Sequence, residues 1–339
     1  MFREWFVPII KNGINDPRNL KPQINLHILK KLISYKVAKT PLAIMLEPAC
    51  RCNLNCPLCT TPHKYMTRKQ GIMNFETYQK IVNDVKDFAL VFYYNFAGEP
   101  FLNPHLLEMI NEAAKHKIFS VVDTNATLLT NKRIKEILDS SLNVLVVNID
   151  HIKKKPFEEF RLGANFNRTI QGIKKLCDLK KKEKRGFPLI IAEVIVSREN
   201  EDNLQRIYDF AKYKIGVDKI WFKPICFPLH SKGFYEDHDI HELVEKYLPV
   251  KSPITRYTYN GEYIEMKNPK ENCDWERKSL ILWDGRVAAC CFDYDGQYIF
   301  GNINDTSFLD IWNSQKYRYY REKLIKFKKL ELCKNCSIL

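Results

Sequence analysis

From residue 42 onward, short apolar runs alternate with stretches whose apolar positions recur at helical spacing, the pattern of βαβ units. Leu42 to Leu46 is the first predicted strand, with a helix from about Phe75 to Phe88. Leu90 to Phe96 precedes a helix over Pro104 to Lys115, and Ile118 to Asp123 precedes one over Asn131 to Asp139. Val144 to Asp150 is followed by a helix over Asn167 to Lys181, Leu189 to Ser197 by one from Asp202 to Tyr213, and Lys219 to Ile225 by His241 to Tyr247. Such alternation predicts an α/β fold, a parallel sheet with helices outside. Six units fall short of a closed eight-fold barrel. Around this body, residues 1–40 read as an N-terminal helical extension, with Leu26 to Ile33 a helix packed over one barrel end. The barrel itself is assigned to 41–248, a connector bearing Pro, Tyr and Lys to 249–272, and a small domain to 273–339. In that last part Trp283-Asp284-Gly285-Arg286 marks a hairpin turn, a helix is predicted over Phe308 to Phe327, and Cys333-Lys334-Asn335-Cys336 follows.

Composition narrows the class. At 339 residues, 45% of them hydrophobic, the chain can bury one large core with an appendage. No apolar run approaches the ~20 residues that cross a bilayer, and the start, with an acid and a proline near it, lacks the pattern of a secretory signal. Eleven cysteines gathered into short-range patterns in a long chain point to metal ligation in a reducing, cytoplasmic setting rather than to disulfides. The formal charge of +14 is mostly diffuse lysine, densest from Lys174 to Arg185 on a solvated helix face. It argues weakly for nucleic acid and somewhat better for an acidic substrate or anionic surface.

The chemistry centres on Cys52-x3-Cys56-x2-Cys59. Three such thiolates can hold three irons of a four-iron cube and leave the fourth without a protein ligand. Structural zinc wants four ligands, reached here only if Cys50 turns inward. Ala97-Gly98-Glu99-Pro100 follows the second strand and Thr124-Asn125-Ala126-Thr127 the third. Together the three marks resemble the radical S-adenosylmethionine (SAM) enzymes, with their Cys-x3-Cys-x2-Cys, Gly-Gly-Glu-Pro and Thr-Asn-Gly-Thr. The resemblance implies a partial (β/α)6 TIM-like barrel with Cys52, Cys56 and Cys59 on a 4Fe-4S cluster whose open iron takes SAM. It further implies Glu99, or backbone at Gly98 and Pro100, for the methionine ammonium and Arg161 for its carboxylate. Thr124, Asn125 and Asn148 are candidates beside the ribose or carboxylate, and backbone at Leu58 and Val196 for adenine. Two departures from the family pattern are Leu58, usually aromatic, and Ala97, usually glycine.

Cys273, Gly285-x4-Cys290 and Cys333-x2-Cys336 resemble the auxiliary-cluster extension of that family, the SPASM or twitch region. The chain's extent suggests one auxiliary cluster, making two 4Fe-4S clusters in all. Cys290 and Cys291 are neighbours on a predicted strand and face opposite ways, so one is expected to ligate; the glycine spacing favours Cys290, with Cys291 the alternative. Four cysteines around zinc is the other assignment for this set. Relatives with one auxiliary cluster include an alcohol-oxidising dehydrogenase, so the resemblance implies a two-electron oxidation. Lys223, His151 and His230 are then candidate bases. Cys226, just past the sixth strand, could instead return a hydrogen atom, as in an epimerase. A peptide-modifying enzyme is a further alternative, although 1–40 looks short for a peptide-recognition domain. Outside the enzymes stand an iron-sulfur electron carrier and a zinc-binding protein. The expected partners are a small molecule or peptide and an external electron donor such as flavodoxin or ferredoxin.

Overall fold

The structure, a computed structural model, describes residues 39–61, 66–229, 239–267, 273–325, 330–334 and 336. The helix expected over Leu26 to Ile33 lies outside them, as does His230. Six parallel strands follow one another in space as in sequence: β1 (Ala43–Leu46), β2 (Val91–Tyr94), β3 (Phe119–Thr124), β4 (Val144–Asn148), β5 (Leu189–Val196) and β6 (Lys219–Pro224). Between them run α1 (Phe75–Val85), α2 (Leu106–Lys115), α3 (Asn131–Asp139), α4 (Lys154–Phe160), α5 (Phe166–Lys182) and α6 (Leu204–Asp209), and α7 (Ile240–Tyr247) comes after β6. Asn74, Thr130 and Asn165 start three of these helices by accepting the amides of Thr77, Arg133 and Arg168. Each cap satisfies a donor that the first turn would otherwise leave unpaired.

Because strand side chains alternate, each strand serves two cores. On the outer face Ile44, Phe92, Val122, Leu145 and Ile190 pack against the apolar stripes of the helices. On the inner face Val91, Val121, Val144, Val146, Leu189 and Ile191 fill the floor of the barrel. Burial on both faces explains why the strands read as nearly continuous apolar runs.

The C-terminal unit does not stand apart. β9 (Lys278–Ile281) pairs in parallel with β1, from Ala43↔Lys278 to Leu46↔Ile281, and continues through β10 (Arg286–Ala288) to β11 (Ile299–Asn302). One nine-stranded sheet results, in the order β11-β10-β9-β1-β2-β3-β4-β5-β6. The Asp284-Gly285 turn is where the sequence puts it, with Gly285 at φ 86. What the alternation pattern does not carry is that this hairpin caps the edge of β1, which would otherwise present unpaired backbone.

Three further differences have local causes. The helix expected from Phe308 to Phe327 breaks at Ser314: α8 (Phe308–Asn313) ends there, and the Ser314 hydroxyl caps α9 (Gln315–Tyr319) by accepting the Tyr317 amide. Tyr320–Ile325 then continues as a wider π turn. The connector holds a small hairpin of β7 (Tyr257–Tyr259) and β8 (Ile264–Met266). Helix α4 falls in a segment too short and too lysine-rich for its period to show, although Phe157 and Phe160 are both buried.

Candidate active site

At the mouth of the barrel the loop after β1 carries Cys52, Cys56 and Cys59, all half-buried. Burial pushes the Cys52 thiol up to about 12, and the Cys59 and Cys56 thiols and Glu99 add to the rise. Burial raises Cys56 too, while the Arg161 guanidinium beside it pulls the other way. The Leu54 amide and Asn125 Nδ2 point at Cys52 Sγ at 3.4 and 3.7 Å. Cys50 turns away: it is fully buried, pushed up to about 12 by burial and then by Glu47, so the loop offers three thiols.

The second motif braces this loop. Gly98 has φ 82, and a Cβ there would come within 2.2 Å of Ala49 O and 2.4 Å of Arg51 O. Only glycine permits both the left-handed conformation and that approach. The Glu99 amide donates to Arg51 O at 2.7 Å. Its carboxylate, fully buried, accepts from Phe101 N at 3.1 Å, Thr124 Oγ1 at 2.7 Å and Asn125 N at 2.8 Å. Glu99 and Thr124 therefore join the ends of β2 and β3, and Pro100 opens the short 3-10 turn that follows. Asn125 holds Asn53 at 3.0 Å and so links the third motif to the cysteine loop.

Arg161 follows α4, which aims it back at the mouth. Its Nε donates to Asp150 Oδ2 at 2.8 Å, and Asp150 Oδ1 accepts the Ile195 amide at 2.8 Å. Arg161 Nη2 is buried with no hydrogen-bond partner among the described residues. An unpaired guanidinium nitrogen next to Cys56 is costly unless an acceptor arrives, and a carboxylate fits it. This orphan donor and the three thiols suit an iron-sulfur cluster with a carboxylate-bearing ligand. Leu58 packs against the cluster that contains Phe160, Ile225 and Tyr257, Val196 sits opposite Pro224 at the top of the β5–β6 ladder, and Asn148 is buried opposite Glu193.

Towards the mouth the inner face changes from apolar to polar, the change stepping upward in register from β3 to β4 and again from β5 to β6. Val121 gives way to Asp123, Val146 to Asn148 and Ile191 to Glu193, while β6 adds Lys223 after Trp221. Lys223 Nζ donates to Glu193 Oε2 at 2.9 Å. Burial alone would lower the lysine, but Glu193 and Asp123 outweigh it and hold the ammonium charged. A lysine so held is poorly suited to act as the base expected of it. Asp123 is pushed up to about 7 by burial and then by Glu193, against Lys223 and Arg161. That value suits proton transfer near neutral pH. Asp123 and Glu193 did not figure among the sequence candidates; the signal for them is a single acid within an otherwise apolar strand. His151 lies buried against Phe160, pushed down by burial, with Glu199 3.9 Å away.

The second cysteine set is drawn from three places: Cys273 before β9, Cys290 and Cys291 after β10, and Cys333 and Cys336 on and just past α10 (Glu331–Lys334). Burial pushes Cys273 up to about 12, with Cys336, Cys333 and Cys291 adding. Cys290 and Cys291 are not on a strand but in the turn beyond β10, so alternation does not separate them. Burial pushes Cys291 up to about 11, with Cys336 and Cys226 adding. Cys290, higher still, feels Cys291 and Cys273 after burial and contributes to the rise of Tyr320. The eleven cysteines form no disulfide. Tyr294, three residues past Cys291, is raised by burial and then by Cys226, Cys291 and Cys59, so it lies within electrostatic reach of a thiol from each set. Its ring stacks on Phe96 with centroids 5.9 Å apart. Cys226 Sγ is 3.6 Å from the Tyr257 hydroxyl.

An α/β partial barrel with three thiols at its mouth and a second thiol set on the extended sheet is the framework of an iron-sulfur enzyme that uses SAM. The Radical SAM superfamily model matches residues 46–211, and the model of the iron-sulfur cluster-binding SPASM domain matches 273–337. The chain belongs to the radical SAM superfamily and carries a SPASM domain. Among similar proteins is a tungsten-containing aldehyde ferredoxin oxidoreductase cofactor-modifying protein of Pyrococcus furiosus, 27% identical over 319 residues, 87% of each chain. A PqqA peptide cyclase of Gluconobacter oxydans is 22% identical over 80% of this chain and 76% of its own. The fold is shared with Streptococcus suis SuiB bound to SAM, at TM-score 0.61 and 17% identity over 91% of this chain and 75% of that one.

Proposed function

We propose that the chain oxidises a C–H position of a peptide or cofactor-like substrate by two electrons, with one cluster at the barrel mouth and one in the SPASM domain. When bound, the first cluster with SAM would supply a 5′-deoxyadenosyl radical that removes a hydrogen atom, and the second an acceptor for the electron the substrate radical gives up. Cys52, Cys56 and Cys59 would hold the first; Cys273, Cys333, Cys336 and one of Cys290 and Cys291 the second. Arg161 Nη2 would grip the carboxylate of SAM, and its being buried and unpartnered is the observation that carries this proposal most directly. With Glu99 engaged by three donors, backbone carbonyls around Gly98 and Pro100 are better placed than its carboxylate for the methionine ammonium. Substrate oxidation must also release a proton, and Asp123, backed by Glu193 and Lys223 inside the barrel, is the group poised to take it. An external one-electron donor such as flavodoxin or ferredoxin would be required.

The names of the relatives favour peptide or cofactor substrates, and the polar layer of Asp123, Asn148 and Glu193 favours a polar group entering the barrel. An epimerase is the second reading, favoured by Cys226 lying beside the Tyr257 hydroxyl and within electrostatic reach of Cys291. It would leave one solvent-derived deuterium in product made in heavy water. The test is anaerobic reconstitution with iron and sulfide, followed by dithionite and SAM. About eight irons per chain, two cubes' worth, and 5′-deoxyadenosine are expected. About four irons, with Cys52→Ala still making deoxyadenosine, would reject the assignment.

A further inference from the structure

Glu47 directly follows β1, five residues before Cys52, and is fully buried. A carboxylate in that position is tolerated only if its charge and lone pairs are met. Arg68, arriving after the cysteine loop and also buried, meets both oxygens: Nη1 donates to Oε2 at 2.8 Å and Nη2 to Oε1. The third edge of the same guanidinium, Nε, donates to the carbonyl of Tyr294 in the SPASM domain. Glu47 Oε2 also accepts the Trp283 amide at 3.2 Å, and the Glu47 amide donates to Ile281 O at 3.0 Å. One ion pair thus touches the strand before the first cysteines, the segment after them, the hairpin turn and the loop that carries Cys290 and Cys291.

Neighbouring contacts follow the same line. Trp283 Nε1 donates to Lys69 O at 3.1 Å, and its ring lies so close to Gly71 that a Cβ there would come within 2.4 Å. Thr67 donates from both its amide and hydroxyl to Asp295 Oδ1. A well-packed apolar pair in place of a buried ion pair is often no less stable, so specific geometry is the more natural reason for one here. Nothing in the proposed chemistry uses these side chains. We infer that Glu47 and Arg68 are positioning residues that fix the separation between the two cysteine sets, and with it the gap an electron must cross. The inference rests on the two-cluster reading and deepens it.

The experiment is dipolar EPR of the reconstituted, dithionite-reduced full chain, with Cys52→Ala/Cys56→Ala/Cys59→Ala and Cys273→Ala/Cys333→Ala proteins as single-cluster references. Wild type should show an interaction absent from the sum of the references. Arg68→Met should retain the wild-type iron content while its interaction shifts and broadens, and Arg68→Lys should recover it in part. Hydrogen exchange at the Trp283 amide, which donates to Glu47 Oε2, should quicken in Arg68→Met even before iron is added. An unchanged interaction in Arg68→Met with both clusters present would overturn the inference. Should that variant fail to fold, the isosteric Glu47→Gln decides by the same measure. Iron for one cluster only in wild type would instead overturn the two-cluster reading, an outcome that iron content alone distinguishes.

Discussion

Gly98 shows how much one backbone position carries at the residue scale. Its left-handed φ would cost another residue roughly 1–2 kcal/mol, and any Cβ would also press on two carbonyls of the cysteine loop. Gly98→Ala is therefore expected to lower thermal stability and to halve the iron loaded, with the loss at the barrel-mouth set. Iron analysis beside a melting curve checks both. Arg161 is the second such position. Replacing it by Leu removes the unpartnered donor, and charge-assisted hydrogen bonds of about 1.5–3 kcal/mol translate into roughly 10- to 100-fold weaker SAM binding, read by equilibrium dialysis. Arg161→Lys keeps the charge but not the fork, so an intermediate loss is expected. Asp123 gives a pH dependence. Its folded-state value of about 7 lies above that of an unfolded aspartate, so the folded protein holds the extra proton between the two values. Stability should fall as pH rises through that window and level off above it. Asp123→Asn, which has no proton to lose, should flatten the slope in denaturant titrations run from pH 4 to 8.

At the scale of elements, the β1–β9 pairing decides how the SPASM domain relates to the barrel. Leu46 and Ile281 are fully buried at the top of this ladder, and the Glu47 amide is bonded across it. Hydrogen exchange at the Glu47 amide should therefore track global unfolding, as slowly as the central β3 amides. Exchange through a separate, cheaper opening would show that the hairpin docks independently. This pairing also marks where sequence reading stopped. The six βα units were legible because each strand has the apolar run and each helix the stripe that burial on two faces demands. The three thiols, Gly98-Glu99-Pro100 and Thr124-Asn125 were legible because their spacing is local. The seat of β9 was not, since Lys278 to Ile281 carries nothing that names β1 as its partner. Nor was the break at Ser314, where one hydroxyl ends one helix and caps the next. The bond from Arg161 Nε to Asp150 and the ion pair of Glu193 with Lys223 join residues 11 and 30 positions apart, and periodicity has no term for them.

For the whole molecule the question is whether the two cysteine sets load independently. The contacts that shape the mouth, from Gly98 against Arg51 to Asn125 against Cys52 and Arg161 on Asp150, all lie within the barrel. Those that shape the second set run through Trp275, Tyr317 and Tyr320, whose rings belong to the core under the hairpin. A Cys273→Ala/Cys336→Ala protein should then keep the wild-type affinity for SAM and still form deoxyadenosine with dithionite, while its iron falls from about eight to about four. Its melting temperature should fall as well, because the cluster that would tie the turn after β10 to α10 is no longer held. Loss of SAM binding in that variant would mean that the mouth depends on the filled SPASM domain. The Glu47 and Arg68 contacts would then transmit assembly as well as distance.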